Sequence, residues 1–224
     1  MHRMLYIIGA PGSGKTTLVR ALTDGLRTVT TTKPIPQICY LRWWDDVPPG
    51  LQPLVRTQGI QFARPRETFG GTDSLPMNIQ PTVEAEIRNA AASKRNINYH
   101  VIAEGDRLGN EKFFNAVIDA GWQLDIVFLD CDFELGQQRR TDRARHVGSA
   151  VQDATWVKGR ITKVTNLVQK FEARVLWLDA AEPVEALREQ LAPQPVVRAL
   201  WGIDPTFAWL EKMRRYMFQH EETP

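Results

Sequence analysis

The 224-residue sequence has little of what marks several classes of protein. Its two cysteines, Cys39 and Cys131, lie far apart and show no metal-ligand spacing, so neither a disulfide scaffold nor a zinc site is indicated. The 28 basic residues nearly balance the 26 acidic ones, for a net charge of +2, so the surface as a whole attracts a polyanion only weakly. Any charge that binds phosphate must therefore be local.

Long hydrophobic runs are also missing. The apolar start of the chain, 5–10, is far too short to span a bilayer, and the residues that follow it do not resemble a signal-peptide cleavage region. We therefore expect a cytoplasmic protein with no membrane partner. Composition does not fix the oligomeric state, and a homodimer is left open.

Short apolar runs alternate with segments of helical periodicity along the chain. The predicted strands lie at 5–8, 38–41, 101–103, 126–129 and 175–178. Helices are predicted after the first run and around Val83 and Ile87, Phe113 and Phe114, and 157–171. This alternation is typical of an α/β domain in which helices cover both faces of a parallel sheet.

The strongest motif follows the first predicted strand and precedes a helix. Its residues, Gly9, Ala10, Pro11, Gly12, Ser13, Gly14, Lys15 and Thr16, fit the P-loop pattern G-x-x-x-x-G-K-[ST]. The glycines allow successive backbone N–H groups to turn towards phosphate oxygens. We expect Lys15 to reach the β- and γ-phosphates, Thr16 to ligate Mg²⁺ and Thr17 to contact the α-phosphate. The motif predicts a nucleoside triphosphate site, and by itself it leaves a kinase, a GTPase and a motor ATPase open.

Charged residues follow the third predicted strand. Glu104, Asp106 and Arg107 stand at its carboxyl end, the edge at which α/β sheets bind ligands. Glu104 or Asp106 would hold Mg²⁺ through water or accept a proton from an acceptor hydroxyl, and the alternative for either residue is a helix cap. Arg107 would bind the acceptor or the transferred phosphoryl group.

A basic segment follows the fourth predicted strand. It contains Arg139, Arg140, Arg143 and Arg145, and the spacing places Arg139 and Arg143 on one face of a helix. Phosphoryl transfer depends on positioning and charge neutralisation, so we interpret 137–153 as a cationic lid. Arg139 and Arg143 are assigned to transfer and Arg140 to nucleotide binding. A solvated charged helix is the alternative.

The segment 34–81 holds eight of the fourteen prolines and breaks the α/β alternation. An insertion of this length usually forms a functional lid or binding loop, although a plain connector is the alternative. After the predicted domain at 1–192, residues 193–224 read as a linker and a helix, with the helix at 206–219.

These motifs resemble the P-loop nucleoside and nucleotide kinases, specifically the thymidylate kinase family, over 1–192. The resemblance depends on the P-loop, the acidic-Asp-Arg segment at 104–107, the arginine-rich lid and the closing strand at 174–180. It implies an ATP- and Mg²⁺-dependent kinase with a three-layer fold, five parallel strands in the order 2-3-1-4-5, and an adenine site beside the closing strand. The chain has no Asn-Lys-x-Asp motif, which disfavours a GTPase, and no apolar run ending in Asp-Glu, which disfavours a motor ATPase.

Two short segments, 69–75 and 103–108, look more like the bacteriophage 5-hydroxymethyluracil DNA kinases, which are divergent members of the same family. This resemblance implies transfer of the γ-phosphoryl group to the 5-hydroxymethyl group in DNA, a step of thymidine hypermodification, in the host cytoplasm. Because that hydroxyl must lose a proton, carboxylates are needed near it. The candidates are Asp73, favoured for contacting the acceptor, and Glu104 and Asp106.

The other candidates for acceptor binding are Arg64, Arg66, Gly70, Gly71 and Thr72. Trp43 and Trp44 would stack on a base turned out of a DNA duplex or, alternatively, belong to a core or interface. Two other functions stay open: a kinase for a free nucleoside or pyrimidine nucleotide, and a nucleotide-binding switch without an acceptor.

Overall fold

A seven-stranded mixed sheet forms the centre of the described residues. The computed structural model describes residues 1–41, 57–65, 70–93 and 98–201. The strands are β1 (Arg3–Gly9), β2 (Arg27–Thr31), β3 (Gln37–Leu41), β4 (Thr57–Gln61), β5 (His100–Glu104), β6 (Gln123–Asp130) and β7 (Val175–Asp179). The helices are α1 (Lys15–Thr23), α2 (Gln80–Ala92), α3 (Glu111–Asp119), α4 (Phe133–Val147), α5 (Ala154–Lys170), α6 (Val184–Leu191) and α7 (Pro195–Leu200), with 3₁₀ turns at Gly71–Ser74 and Glu172–Arg174.

The strands run in the order β2-β3-β4-β5-β1-β6-β7. Strands β4, β5, β1, β6 and β7 are parallel, whereas β3 pairs antiparallel with both β4 and β2. The α/β class is confirmed. The predicted five-stranded parallel sheet is wrong in strand count and order, because the sheet has seven strands and the strand predicted at 38–41 is β3, which is antiparallel to both of its neighbours.

The two missed strands carry weak sequence signals. Strand β2 is largely exposed and consists mostly of arginine and threonine, so it shows no apolar run. Strand β4 has one apolar residue, Ile60. Their pairing depends on backbone hydrogen bonds to β3 and β5 rather than on a hydrophobic pattern, which a periodicity argument cannot detect.

The central strands bury side chains on both faces and so separate two hydrophobic layers. One layer contains Tyr6 and Ile8 with residues of α2, α3 and α5, among them Val83, Ile87, Phe113, Phe114 and Val168. The other contains Leu5 and Ile7 with residues of α1, α6 and α7, among them Leu18, Leu22, Leu187, Val197 and Leu200. Successive residues of β1 thus face opposite layers, which is the alternation expected of a central strand.

The long segment at 34–81 contributes structured elements, since its described parts include β3, β4, the first 3₁₀ turn and the start of α2. Trp43, Trp44 and Arg66 lie outside the described residues, as does the predicted helix at 206–219. Helix α7 packs on the sheet with Val196, Val197 and Leu200 buried. Among the described residues, no helix combines the length and the apolar character needed to cross a bilayer.

Candidate active site

The P-loop wraps around the start of α1. Gly12 and Gly14 adopt φ angles of 90° and 94°, a left-handed region that residues with a Cβ rarely occupy. The Lys15 ammonium donates to the carbonyl oxygens of Gly9 at 2.9 Å and Ala10 at 3.0 Å. The loop is therefore closed on itself by its own lysine, and the amino end of α1 points at the space in front of it.

Helix α4 supports the P-loop from the side. A Cβ at Gly12 would lie 2.5 Å from the Gly136 carbonyl oxygen, so the two backbones need this glycine to approach each other. Arg140 is only 4% exposed and donates to the Pro11 carbonyl oxygen at 2.7 Å. Its guanidinium thus supports the P-loop backbone, and the nucleotide contact that we predicted for Arg140 stays a prediction.

The other lid arginines divide into three roles. Arg139 donates to the Ser13 carbonyl oxygen at 3.3 Å and to the Ala180 carbonyl oxygen at 2.8 Å, so it ties the P-loop to the loop after β7. Arg143 is exposed and lines the cavities on both sides of the P-loop. Arg145 pairs with Asp142 at 3.4 Å on the surface.

The first of these cavities, which we call the donor cavity, has a volume of about 430 Å³. It is lined by the P-loop from Gly12 onwards, by Arg139 and Arg143, and by Leu129, Ala180, Glu182, Val184 and Leu187. The residues from 180 onwards belong to the loop after β7 and to α6. Apolar side chains beside a phosphate cradle suit a purine ring next to its triphosphate.

Thr16 and Glu104 form the junction between the P-loop and the neighbouring strand. The Thr16 hydroxyl donates to Glu104 Oε1 at 2.9 Å, and Glu104 is only 2% exposed at the carboxyl end of β5. Burial raises the pKa of the Glu104 carboxyl above its ordinary value, although the nearby Lys15 and the Thr16 hydrogen bond oppose that shift. A hydroxyl and a carboxylate in contact form the oxygen donor set that Mg²⁺ takes at such sites.

Gly70 and Gly71 lie directly against this junction. A Cβ at Gly70 would lie 2.6 Å from the Thr16 methyl group and 2.8 Å from Glu104 Oε1, and a Cβ at Gly71 would collide with the Glu104 backbone oxygen. Gly71 also has a φ of 53°. The absence of a Cβ at these two positions therefore allows the turn to pack against Thr16 and Glu104, and their predicted part in acceptor binding stays a prediction.

Asp73 organises the loop that follows β5. Its Oδ1 accepts the backbone N–H groups of Asp106 at 2.9 Å and of Arg107 at 3.1 Å, while the Arg107 guanidinium donates to the Asp73 carbonyl oxygen at 3.3 Å. Burial, together with the charge of Asp106, raises the pKa of Asp73. One carboxylate oxygen thus fixes the backbone from which both Asp106 and Arg107 project.

Tyr6, on β1, holds the same loop through its hydroxyl group. Its hydroxyl donates to the Gly105 carbonyl oxygen at 2.8 Å and lies 3.3 Å from the hydroxyl of Thr72, which is fully buried. The backbone N–H of Arg64 donates to Ser74 Oγ at 2.7 Å, and the predicted acceptor contact of the Arg64 side chain stays a prediction. Burial of Tyr6 raises the pKa of its phenol well above the ordinary value, so it remains a hydrogen-bond donor.

The second cavity, the acceptor cavity, has a volume of about 550 Å³ and opens on the other side of the P-loop. Three carboxylates line it, those of Asp73, Glu104 and Asp106. Four arginines line it as well: Arg20, Arg107, Arg143 and Arg160. Lys15, Thr16, Thr17 and Gly70 form its floor together with Pro11 and Gly12. Most of the site residues predicted from the sequence therefore meet at two adjoining cavities.

Helix α5 supplies residues that the sequence analysis missed. Arg160 pairs with Asp106 Oδ2 at 3.6 Å, and Lys163 donates to the Asp106 carbonyl oxygen at 3.4 Å. Trp156 also lines the acceptor cavity, as does Gln152, which precedes the helix. The apolar stripe is the stronger pattern in this helix. The available signal was the pair Trp156 and Arg160, which lie four residues apart beside that stripe.

The sequence also matches a known protein family. Residues 1–204 match the family described as P-loop Nucleotide Kinase3. The chain belongs to this family of P-loop nucleotide kinases. It is therefore a phosphotransferase that uses ATP and Mg²⁺, and the switch without an acceptor is set aside. The fit is direct, since Lys15, Thr16 and Glu104 already stand where a triphosphate and its metal would be held. Among the described residues there is no separate cluster of three or more potential metal ligands.

Solved structures of similar shape are more distant. A gluconokinase from Sinorhizobium meliloti 1021 is 12% identical, with a TM-score of 0.45, over 93% of this chain and 97% of its own. The tunicamycin resistance protein from Deinococcus radiodurans is 16% identical, with a TM-score of 0.45, over 87% and 95% of the two chains. A sugar kinase from Janibacter sp. HTCC2649 is 17% identical, with a TM-score of 0.38, over 88% and 98%. No curated protein matches the sequence. Likenesses this weak say nothing about the acceptor.

Proposed function

We propose that this kinase transfers the γ-phosphoryl group of ATP to the 5-hydroxymethyl group of 5-hydroxymethyluracil in DNA. The proposal develops the resemblance carried by 69–75 and 103–108. The described parts of these segments, 70–75 and 103–108, pack against each other through Gly71, Asp73 and Gly105. A resemblance in two separate stretches thus corresponds to one structural unit beside the P-loop.

The observation that carries the proposal is the carboxylate lining of the acceptor cavity. A hydroxyl acceptor must lose its proton during transfer, whereas an acceptor phosphate is already anionic and needs no base. Asp106 lies in that cavity and is held by Arg160 and Lys163, while Glu104 is engaged with Thr16. We therefore assign the base to Asp106 and the metal end of the site to Glu104.

Asp106 takes up the proton that is released in the proposed transfer. The 5-hydroxymethyl oxygen attacks the γ-phosphorus as its proton passes to the Asp106 carboxylate. The bond between the γ-phosphorus and the β–γ bridging oxygen breaks, and ADP leaves with that oxygen. The exposed Arg143, which reaches both cavities, would lie beside the transferred group and neutralise its charge. Mg²⁺, when bound at Thr16 and Glu104, neutralises charge on the β- and γ-phosphates.

A free pyrimidine nucleoside or nucleotide is the second candidate acceptor. Arg20, Arg107 and Arg160 surround the acceptor cavity, and guanidinium groups bind phosphate well. The phosphate that they would contact belongs either to a DNA backbone or to a free nucleotide. The cavity lining suits both, so the acceptor must be identified by transfer.

The deciding experiment offers several acceptors to the protein with γ-labelled ATP and Mg²⁺. The acceptors are single- and double-stranded DNA containing 5-hydroxymethyluracil, the same DNA with thymine, 5-hydroxymethyldeoxyuridine and its monophosphate, and thymidine monophosphate. We expect label in the hydroxymethyluracil DNA and none in thymine DNA, because thymine has no hydroxyl at that carbon. Digestion of the product should release a nucleoside with the phosphate on the 5-hydroxymethyl oxygen.

Other labelling results would identify a different acceptor. Label that enters only thymidine monophosphate would overturn the proposal in favour of a mononucleotide kinase. Label that enters free 5-hydroxymethyldeoxyuridine but not the DNA would keep the chemistry and replace the polymer acceptor. Asp106→Asn serves as the negative control, because it removes the base and keeps a side chain of the same shape.

A further inference from the structure

The amino-terminal part of α5 presents an aromatic ring to the acceptor cavity. Trp156 is 43% exposed and lines that cavity. The Asp153 side chain accepts the Trp156 backbone N–H at 2.8 Å and so fixes the first turn of the helix. A large aromatic side chain left exposed at the rim of a site has a face available for stacking.

Arg160 contacts both this ring and Asp106, which lies in the loop after β5. Its guanidinium carbon lies 5.0 Å from the centre of the Trp156 ring, within range of a cation–π contact, and its Nη1 lies 3.6 Å from Asp106 Oδ2. The tryptophan is therefore linked, through one arginine, to the carboxylate that we assign as the base. A planar group stacked on Trp156 would be held at a fixed position relative to Asp106.

Gln152 supplies a polar group to the same cavity. Its Oε1 is buried and has no hydrogen-bond partner among the described residues. Because this oxygen has almost no exposed surface, the Gln152 side chain must turn towards the cavity before a ligand can supply the N–H donor that the oxygen lacks. The carboxamide also carries a donor, and together the two groups match a ring edge on which an N–H stands beside a carbonyl.

We infer that Trp156 and Gln152 form the subsite that recognises the acceptor base, and that the base is a pyrimidine with an intact N3–H. Trp156 stacks on the ring and Gln152 accepts from N3–H. This inference rests on the proposed function, since it assigns the base-recognition part of the same site. It goes further by distinguishing pyrimidine-diones from rings that lack this donor.

The test measures binding rather than turnover. The probe is an end-labelled single-stranded oligonucleotide with one 5-hydroxymethyluracil, titrated by fluorescence anisotropy with a non-hydrolysable ATP analogue and Mg²⁺. A matched oligonucleotide has an abasic site at that position, so contacts to the backbone cancel. We expect the wild-type protein to prefer the base by about ten-fold or more, the range of a base–aromatic stack, and Trp156→Leu to lose this preference.

Trp177→Leu is the matched control, because Trp177 is 50% exposed on the edge strand β7 and lines neither of the two cavities. It should keep the preference. For Gln152, the probe is the same oligonucleotide with an N3-methylated base. The wild-type protein should bind this probe about five-fold more weakly, whereas Gln152→Ala should bind both bases equally. Unchanged melting temperatures would show that the variants are folded.

The outcomes separate this inference from the proposed function. If the wild-type protein does not prefer the base over the abasic site, or if Trp156→Leu retains the preference, the inference is overturned. Equal binding of the N3-methylated base by the wild-type protein overturns the Gln152 assignment. If the base is bound through Trp156 but no label reaches its hydroxymethyl group, the proposed function fails and the inference stands.

Discussion

The donor and acceptor cavities share the P-loop but are built in different ways. The donor cavity is formed by the contiguous segment 12–18, by apolar residues of β6, the loop after β7 and α6, and by Arg139, Arg143 and Glu182. The acceptor cavity is formed by charged side chains from α1, the 3₁₀ turn, the loop after β5, α4 and α5. A triphosphate can be held largely by main-chain N–H groups, whereas an acceptor is selected by side chains that distant segments bring together.

This difference separates the parts of the site that all such kinases need from the parts that define this kinase. Substitutions in the P-loop should affect every acceptor equally. Substitutions around Asp106, Trp156 and Arg160 should change the rate or the choice of acceptor while leaving ATP binding nearly intact. The variants below test this division.

The largest effect is expected for Lys15→Ala on the donor side. This change removes the cation that reaches the β- and γ-phosphates, so kcat should fall by at least about a thousand-fold with every acceptor. Circular dichroism and the melting temperature should stay close to wild type, since the hydrogen bonds of Lys15 within the described part of the chain go to nearby carbonyl oxygens of its own loop. Lys112→Ala, on the exposed face of α3, is the control. Turnover retained by Lys15→Ala would show that the P-loop assignment is wrong.

On the acceptor side, Asp106→Asn should lower kcat by about several hundred-fold, the range typical of a lost general base, with the ATP dissociation constant nearly unchanged. Glu104→Gln provides the comparison. It should raise the Mg²⁺ concentration that gives half-maximal rate, which Asp106→Asn should not. If the two variants show the opposite pattern, the roles of the two carboxylates must be exchanged.

Arg143 and Arg140 both lie on α4, but we expect Arg143 to act in catalysis and Arg140 to stabilise the fold. Arg143→Ala should lower kcat by about a hundred-fold without loss of stability, because Arg143 is exposed and lines both cavities. Arg140→Ala should destabilise the fold by about 2 kcal/mol, because the Pro11 carbonyl oxygen loses its buried donor. Urea denaturation and steady-state kinetics on both variants separate these effects. A stability loss in Arg143→Ala of the same size would contradict the assignment.

Asp73 tests whether a carboxylate that lines the acceptor cavity acts through its charge or through its geometry. Asparagine keeps the Oδ1 that accepts from Asp106 and Arg107, whereas alanine removes it. If Asp73 positions the loop, Asp73→Asn should stay within about three-fold of wild type and Asp73→Ala should lose about ten-fold in kcat. Equal and large losses in both variants would instead support the direct acceptor contact suggested by the sequence.

The P-loop could be recognised from the sequence, whereas the contacts that build the acceptor cavity could not. Residues 9–16 are contiguous, so their pattern carries their geometry. Asp73 and Asp106 were recognised as candidates, but their contact joins segments 33 residues apart, and no spacing rule predicts it. Trp156 and Arg160 were missed because the apolar face of α5 dominates its periodicity. Tyr6 was hidden in an apolar strand, although a buried phenol needs a hydrogen-bond partner and so hints at one.

The smallest expected effect is on the free energy of unfolding and concerns Glu104, which lies between the P-loop and the acceptor cavity. Burial raises the pKa of Glu104 in the folded protein, so ionisation of this carboxyl favours the unfolded chain. The stability that the neutral Glu104 carboxyl contributes is therefore fully present at pH values below the pKa of this group in the unfolded chain. It is lost as the pH rises through the higher pKa of the group in the folded protein. Glu104→Gln keeps an acceptor oxygen for Thr16 and carries no charge. Without nucleotide or Mg²⁺, it should stabilise the protein by about 1 kcal/mol at pH 7 and by less at pH 4.5, as measured by urea denaturation. A difference that grows as the pH falls would mean that the ionised carboxylate stabilises the fold.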